Sequence, residues 1–287
     1  MLLLAILFSV LLLVNFRLHA KWGINTSIAI LLNYPICFLV GYLMQPEAVN
    51  HLFDLSMANN IPVFLLGIGF IVTFLFSGKS TVKNGMAVTS LANNMSLVLP
   101  VVFSLLFLGA WQGAQWNTYL GLALAFVAIY FFSPKINSEN NSIVSPMLLI
   151  AAFLCYGITN STFNYLNKET APLLGGTIPF MLLALIGSIV AGLLVLIFQM
   201  VNKQITLDPK SVLASIPLGI PNFLSFYYLL KALDQAGNNG ALVMPIYNIG
   251  VIAGTALVGL IFFKERLSKL QIAGLAIGTA SVILLGL

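Results

Sequence analysis

What most constrains this chain is how rarely a charge interrupts it. Ten apolar stretches follow one another, at about 2–20, 26–44, 61–77, 84–108, 117–133, 145–166, 176–201, 211–231, 239–263 and 270–287. Each approaches the ~20 residues, range about 17–25, that a helix needs to cross the hydrocarbon core of a bilayer. Charged residues make up 7% of the 287 and hydrophobic residues 60%, with a mean hydropathy of +1.04. A soluble domain carries roughly 25% charged residues. So few charges cannot cover a water-facing surface, and most of this one must face lipid. In lipid the backbone N–H and C=O groups have to bond within the chain, which for apolar segments of this length means helices. The expectation is an all-α integral membrane protein of ten transmembrane helices.

The loops between the stretches are short. Turn residues such as Gln45-Pro46, Ser77-Gly78 and Asp208-Pro209 mark several of them. No polar stretch is long enough for a soluble domain. The longest, Ser133 to Ser145, lies near the middle of the chain, where a joint between two halves would be. The chain opens apolar at Leu2 without a basic stretch, which fits a first membrane helix better than a secretory signal. Cys37 and Cys155 sit inside apolar segments and read as small hydrophobes. There is no CxxC or Cys/His cluster, and neither a metal nor a cofactor is expected.

The net charge is +5. The basic residues stand singly or in small groups between apolar runs, with no basic stripe of the kind that follows a nucleic-acid backbone. They read instead as topology signals. Loops after odd-numbered spans hold Arg17, Lys21, Lys79, Lys83, Lys135, Lys203, Lys210, Lys264, Arg266 and Lys269, whereas loops after even-numbered spans hold Lys168 and Lys231. Cytoplasmic loops carry the excess of Lys and Arg. This bias puts the odd loops in the cytoplasm and both termini outside, in a multi-pass protein of the cell (inner) membrane.

The chain also repeats itself. Ile61-Pro62 in span 3 matches Ile216-Pro217 in span 8, and at the same offset Asn84-Gly85 meets Asn239-Gly240 and Asn93 meets Asn248. After a two-residue adjustment Gly121 meets Gly274, and a weaker echo joins Pro35 to Pro179. The expected units are 1–138 and 139–287, each of five spans. Five is odd, so the second unit must cross in the opposite sense. Inverted repeats of this kind hold solutes near the repeat interface at mid-membrane.

On these residues the chain resembles an EamA-type member of the drug/metabolite transporter superfamily. Phe263-Lys264-Glu265-Arg266-Leu267-Ser268 followed by Gly274 is similar to the family's apolar helix, Glu-Arg-Leu-Ser turn and Gly-bearing last helix. Asn94-Met95-Ser96-Leu97-Val98-Leu99-Pro100 is similar to its proline-bearing fourth helix. The first half departs from the pattern, with Gly109-Ala110-Trp111-Gln112-Gly113 where the acidic turn would fall. The resemblance implies a ten-helix bundle that moves small metabolites, and a monomer or homodimer in the bilayer is expected.

Polar side chains inside the bilayer are costly unless they are paired or face a cavity, so they point to a solute path. Span 4 carries Thr89, Asn93, Ser96 and Pro100 at helical spacing, and span 6 carries Tyr156, Thr159, Asn160 and Asn164. Span 8 offers Asn222, Ser225 and Tyr228, span 9 Tyr247 and Asn248, and span 1 Ser9 and Asn15. Amides and hydroxyls both donate and accept, which suits amino acids, sugars and similar solutes. The competing reading for any one of them is a helix-to-helix hydrogen bond. No Asp or Glu lies at mid-span, which argues against exchange of a proton for a cation and favours a neutral, zwitterionic or anionic solute. An enzyme would need a nucleophile with its base, or metal ligands. His19 and His51 are the only histidines, neither HExxH nor GxSxG occurs, and Gly78-Lys79-Ser80 lacks the first glycine of a phosphate loop. The remaining alternative is a membrane receptor or scaffold that moves nothing.

Overall fold

The structure, a computed structural model, describes residues 1–52, 56–96, 98–99, 102, 115–132, 145–236, 240–265 and 267–286. Among them there is no strand. The main helices are α1 (Leu2–Trp22), α2 (Thr26–Met44), α3 (Met57–Asn84), α4 (Met86–Met95), α5 (Trp116–Phe132), α6 (Pro146–Thr170), α7 (Thr177–Val201), α8 (Ser215–Gln235), α9 (Gly240–Phe263) and α10 (Lys269–Gly286). A short helix, Pro209–Leu213, leads into α8. Seven stretches are long and apolar enough to cross a membrane: Leu2–Trp22, Thr26–Met44, Asn59–Asn84, Pro146–Thr170, Thr177–Val201, Pro209–Gln235 and Ile246–Phe263. α5 and α10 are shorter apolar helices. The central linker 133–144 and most of span 4 beyond Ser96 lie outside the described residues.

The helix ends follow from local chemistry. α1 stops at Gly23, whose φ of 64° lets the Ile24 N–H reach back to the His19 carbonyl at 2.9 Å. Asn25 caps α2 by accepting from the Ser27 and Ile28 N–H groups. Asp208 does the same for Pro209–Leu213, accepting from the Ser211 N–H at 2.8 Å. Hydrogen bonds from the Ser211 hydroxyl and backbone hold the Asp208 carboxyl below the usual carboxylate range.

One expectation is corrected. Ser77-Gly78 is not a turn, and α3 runs on to Asn84. A Cβ at position 78 would lie 2.6 Å from Ile30 Cδ1, so this glycine admits α2 to the side of α3.

The bundle is assembled through a few extended contacts. α1 packs on α8 and α9, and α6 packs on α3 and α4. α2 lies against α7 and α8, and α3 against α7. α5 pairs with α10 and α4 with α9. The closest approach is between α3 and α7: a Cβ on Gly67 would sit 2.1 Å from the Ala184 carbonyl oxygen, and one on Gly187 would sit 2.0 Å from that of Phe64. The Ser188 hydroxyl donates to the Gly67 carbonyl at 2.9 Å in the same seam. Gly121 and Gly278 serve close packing as well, Gly121 against α10 and Gly278 against α4 and α5.

Large apolar side chains remain on the outside. Leu3, Met147, Phe262 and Leu194 are 79%, 81%, 74% and 63% exposed, as a surface solvated by lipid requires. Trp116 and Tyr119 at one end of α5 and Tyr130 near the other are also exposed, the placement of aromatic belts at the two membrane interfaces.

Several turns meet at one end of the bundle. The Asn25 N–H donates to the Ser211 hydroxyl at 2.8 Å and Lys210 donates to the Trp22 carbonyl, joining the α1–α2 turn to the entry of α8. Asn84, at the end of α3, accepts from the Ser145 N–H at the start of α6 at 2.9 Å. Arg17, near the end of α1, pairs with Glu265 in the α9–α10 turn at 3.0 Å.

Candidate functional site

Asn93 and Asn94 stand at the end of the described regular part of α4, next to the Ser96 turn. They open into a cavity of about 40 Å3 that also contacts Ser9, Leu13 and Phe16 of α1, Phe74 and Ser77 of α3, Tyr156, Ser225, Tyr247 and Val251. A second cavity, also of about 40 Å3, shares Asn93, Asn94, Tyr156, Phe226 and Tyr247 with the first and adds Ser96, Asn160 and Asn248. The shared walls make the two one cleft. It lies among α1, α3, α4, α6, α8 and α9. No charged side chain is among the residues that line it.

A third, apolar compartment of about 30 Å3 adjoins this cleft. Tyr34, Phe70, Phe223 and Met181 line it with Cys37 and Asn222, and Phe74, Phe163 and Phe226 are walls it shares with the cleft. Phe70, Phe163 and Phe226 pack in a triad, with ring centroids 5.5–5.9 Å apart where α3, α6 and α8 meet.

The hydrogen bonds sort the polar candidates. Asn93 is 5% exposed and donates from Nδ2 to the Ser77 hydroxyl at 2.5 Å. Its Oδ1 is buried and has no partner among the described residues. Asn248 is 4% exposed, and its Nδ2 is likewise buried without a partner among them. Both residues line one cavity, and each holds a buried amide atom, an acceptor on Asn93 and a donor on Asn248, unpaired among the described residues. Leaving a buried polar group unpaired costs about 1–3 kcal/mol, a cost that a bound solute or water would relieve. The Tyr247 hydroxyl lies 2.6 Å from that of Ser9 and bridges α9 to α1 across the cleft. Ser96 and Ser225 line the cleft while bonding to the carbonyls of Asn93 and Asn222.

Other candidates are drawn into packing. Thr89 meets the Ser80 hydroxyl at 2.8 Å between α3 and α4. Thr159 meets Thr73 at 2.7 Å between α3 and α6. Asn15 donates to the Leu11 carbonyl one turn back in its own helix. Tyr228 stacks on Phe8 at 5.7 Å. None of these four lines the cleft. Asn222 donates to Asn33 Oδ1 at 2.7 Å, tying α8 to α2 beside the apolar compartment. Pro100 and the side chain of Asn164 lie outside the described residues.

Reasoning from sequence missed Ser77, Asn94 and Asn33. Ser77 was hidden by its assignment to a turn. Asn94 falls off the one-sided stripe of span 4, yet the cleft wraps around the end of α4 and takes in both asparagines. Three basic residues within or beside the spans stay out of the cleft: Arg17 pairs with Glu265, Lys231 lies 5.6 Å over the Tyr227 ring, and Lys79 is exposed.

Apolar helices of this length, with large apolar side chains outward and a polar cleft inward, define a multi-pass membrane protein. Residues 146–287 match the model of the EamA-like transporter family. The chain belongs to that family, within the drug/metabolite transporter superfamily, whose members are transporters rather than enzymes. An uncharacterized protein of Haemophilus influenzae is 27% identical over 284 residues, spanning 97% of this chain and 94% of that protein. A solved crystal structure, 14% identical, shares the fold over 98% of this chain and 95% of its own, with a TM-score of 0.54.

Proposed function

We propose that the protein is a secondary transporter or exporter of a small polar or zwitterionic metabolite, amino-acid-like in its chemistry, working by alternating access through the central cleft. The observation that carries this reading is the pair of unpaired amide atoms, Asn93 Oδ1 and Asn248 Nδ2, on two residues that line one cavity. A solute offering one donor and one acceptor satisfies both. The uncharged lining favours a solute whose own charges balance, because an isolated ion would lose its hydration without a counter-charge.

Packing supports two inverted five-helix halves, 1–138 and 139–287. Exchanging each helix for the one five places along maps the main contacts onto one another. The α1 contacts with α8 and α9 become those of α6 with α3 and α4, and α2 on α8 becomes α7 on α3. The α2–α7, α4–α9 and α5–α10 pairs map onto themselves. In this arrangement Asn93 and Asn248 occupy equivalent places on the paired helices α4 and α9. The bilayer is the cell membrane, the termini face outward, and the unit is a monomer or homodimer.

The test is flux. Metabolites that differ between cells with and without the gene supply candidate solutes, which are then loaded into proteoliposomes. Asn93→Leu and Asn248→Leu should each lower transport per folded molecule roughly two- to tenfold, the factor for losing a neutral hydrogen bond of about 0.5–1.5 kcal/mol. Normal specific transport in both variants removes these residues from the site. No flux of any candidate solute favours a receptor or scaffold instead.

A further inference from the structure

Glu265 stands in the turn between α9 and α10, yet its carboxylate is spent on other helices. It is 8% exposed and lies 3.0 Å from Arg17 Nε of α1. The backbone N–H of Met86 donates to Oε1 at 3.1 Å and that of Ala87 approaches Oε2 at 3.5 Å. These are first-turn donors of α4, which its own N-cap residue Gly85 leaves without a side-chain partner. The carboxylate therefore caps α4 from a distant turn, where the helix dipole favours negative charge. Arg17 continues the chain of contacts by donating from Nη1 to the Val82 carbonyl of α3 at 3.2 Å.

Three backbone features fit the turn to this purpose. Gly85 has a φ of 91°, and a Cβ there would crowd both carboxylate oxygens at 3.1 Å. A Cβ on Gly259 would lie 2.8 Å from Oε2. Lys264 takes a left-handed φ of 52°, and the Glu265 N–H hooks back to the Gly259 carbonyl at 2.9 Å.

The position relative to the cleft is informative. On α1 the cleft residues end at Phe16, and Arg17 is next. On α3 they end at Ser77, five residues before Val82. On α4, Asn93 follows Met86 by seven residues, and on α9, Val251 precedes Gly259 by eight. At 1.5 Å per residue these separations are about 7–12 Å along α3, α4 and α9. All four helices reach the clamp at the same end of the bundle.

We propose that Glu265 is a positioning residue and a closure: with Arg17 and the N-terminus of α4 it locks one mouth of the cleft, and solute passage at that end requires the α9–α10 turn to let go. The closure rests on the transporter reading, since a receptor or scaffold has no need to open. The same carboxylate sets the tilt of α4, and so the placement of Asn93 and Asn94.

The test needs no solute, so it separates the clamp from the transport reading, which flux decides. Leu13 lines the cleft one turn below Arg17 and is 5% exposed. Leu13→Cys is placed in a background lacking Cys37 and Cys155. Its reaction with a membrane-impermeant charged maleimide is timed from each face, in right-side-out and inverted vesicles. Glu265→Gln and Arg17→Gln should each speed labelling from the clamp face about tenfold, the factor for ~1.4 kcal/mol. The double variant should add little, because one lock is lost only once. Unchanged rates in folded single variants overturn the proposal. Should Glu265→Gln fail to fold, Arg17→Gln decides alone, since it leaves the cap on α4 in place: faster labelling supports the closure and unchanged labelling overturns it.

Discussion

Asn93 and Asn248 enter the cleft from α4 and α9 with opposite needs, an amide oxygen on one and an amide nitrogen on the other. Their neighbours show how finely the polar residues divide. Ser96 lines the cavity, whereas Thr159 points its hydroxyl at Thr73 and at the Gly69 carbonyl. A cysteine at Ser96 should therefore react quickly with a small water-soluble thiol reagent, in a background lacking Cys37 and Cys155. A cysteine at Thr159 should react slowly. Equal rates at the two positions would mean that the cleft is sealed from water. Sequence pattern named most of the polar lining, including Tyr156, Asn160, Ser225, Tyr247 and both repeat-matched asparagines, because a polar group in lipid must have a reason to be there. It could not separate Thr159 from Ser96. Both sit on apolar helices, and only the approach of α3 decides which hydroxyl is taken. Phe226 was invisible for another reason: with 21 phenylalanines in the chain, nothing local distinguishes it from one that faces lipid.

At the scale of elements, glycine decides how closely helices approach. Lipid offers little hydrophobic drive for one helix to join another, so backbone proximity and packing must supply it. The α3–α7 seam is the clearest case, with Gly67 and Gly187 each facing backbone of the partner. Gly187→Ala should push the two helices apart and lower stability by about 1–3 kcal/mol, the range for overpacking. Gly67→Ala should do the same, and the double variant should cost less than the sum, since both open one contact. Gly69→Ala is the mild control, because its Cβ would meet only the Thr159 side chain, at 3.3 Å. Thermal unfolding of the purified protein in one detergent ranks the three. Equal losses at positions 69 and 187 would show that the seam is not special. Helix existence was legible from hydropathy, since length and apolarity are local properties. The reach of α3 past Ser77 was not, because a glycine that makes room for a neighbour looks in sequence like one that makes a turn.

For the molecule as a whole, charge and packing agree on one asymmetry. The last turns of α1 and α3, the α7–α8 connection and the α9–α10 turn with the start of α10 carry Lys21, Lys83, Lys203, Lys210, Lys264 and Lys269, besides Arg17 in the clamp and Lys79 within α3. Contacts gather the α1–α2 turn with the entry of α8, and the end of α1 with the α9–α10 turn, into one end of the bundle. The basic residues therefore crowd one membrane face, while the opposite end holds Lys168 and Lys231. Such an excess marks the side that stays in the cytoplasm during insertion. α10 starts at the basic end, at Lys269, and runs away from it, so the proposed orientation puts its far end on the outer side. A reporter fused after Leu287 that is active only in the cytoplasm should stay silent, and one active only outside should give signal. Moving the bias tests the cause. Replacing Lys203, Lys264 and Lys269 by Gln while adding three lysines beside Lys168 should raise the cytoplasmic signal, because orientation follows the difference in Lys and Arg between the two faces. Strong cytoplasmic signal from the unaltered chain would reverse the orientation, place the Arg17–Glu265 clamp at the outer mouth, and leave the helix packing unchanged.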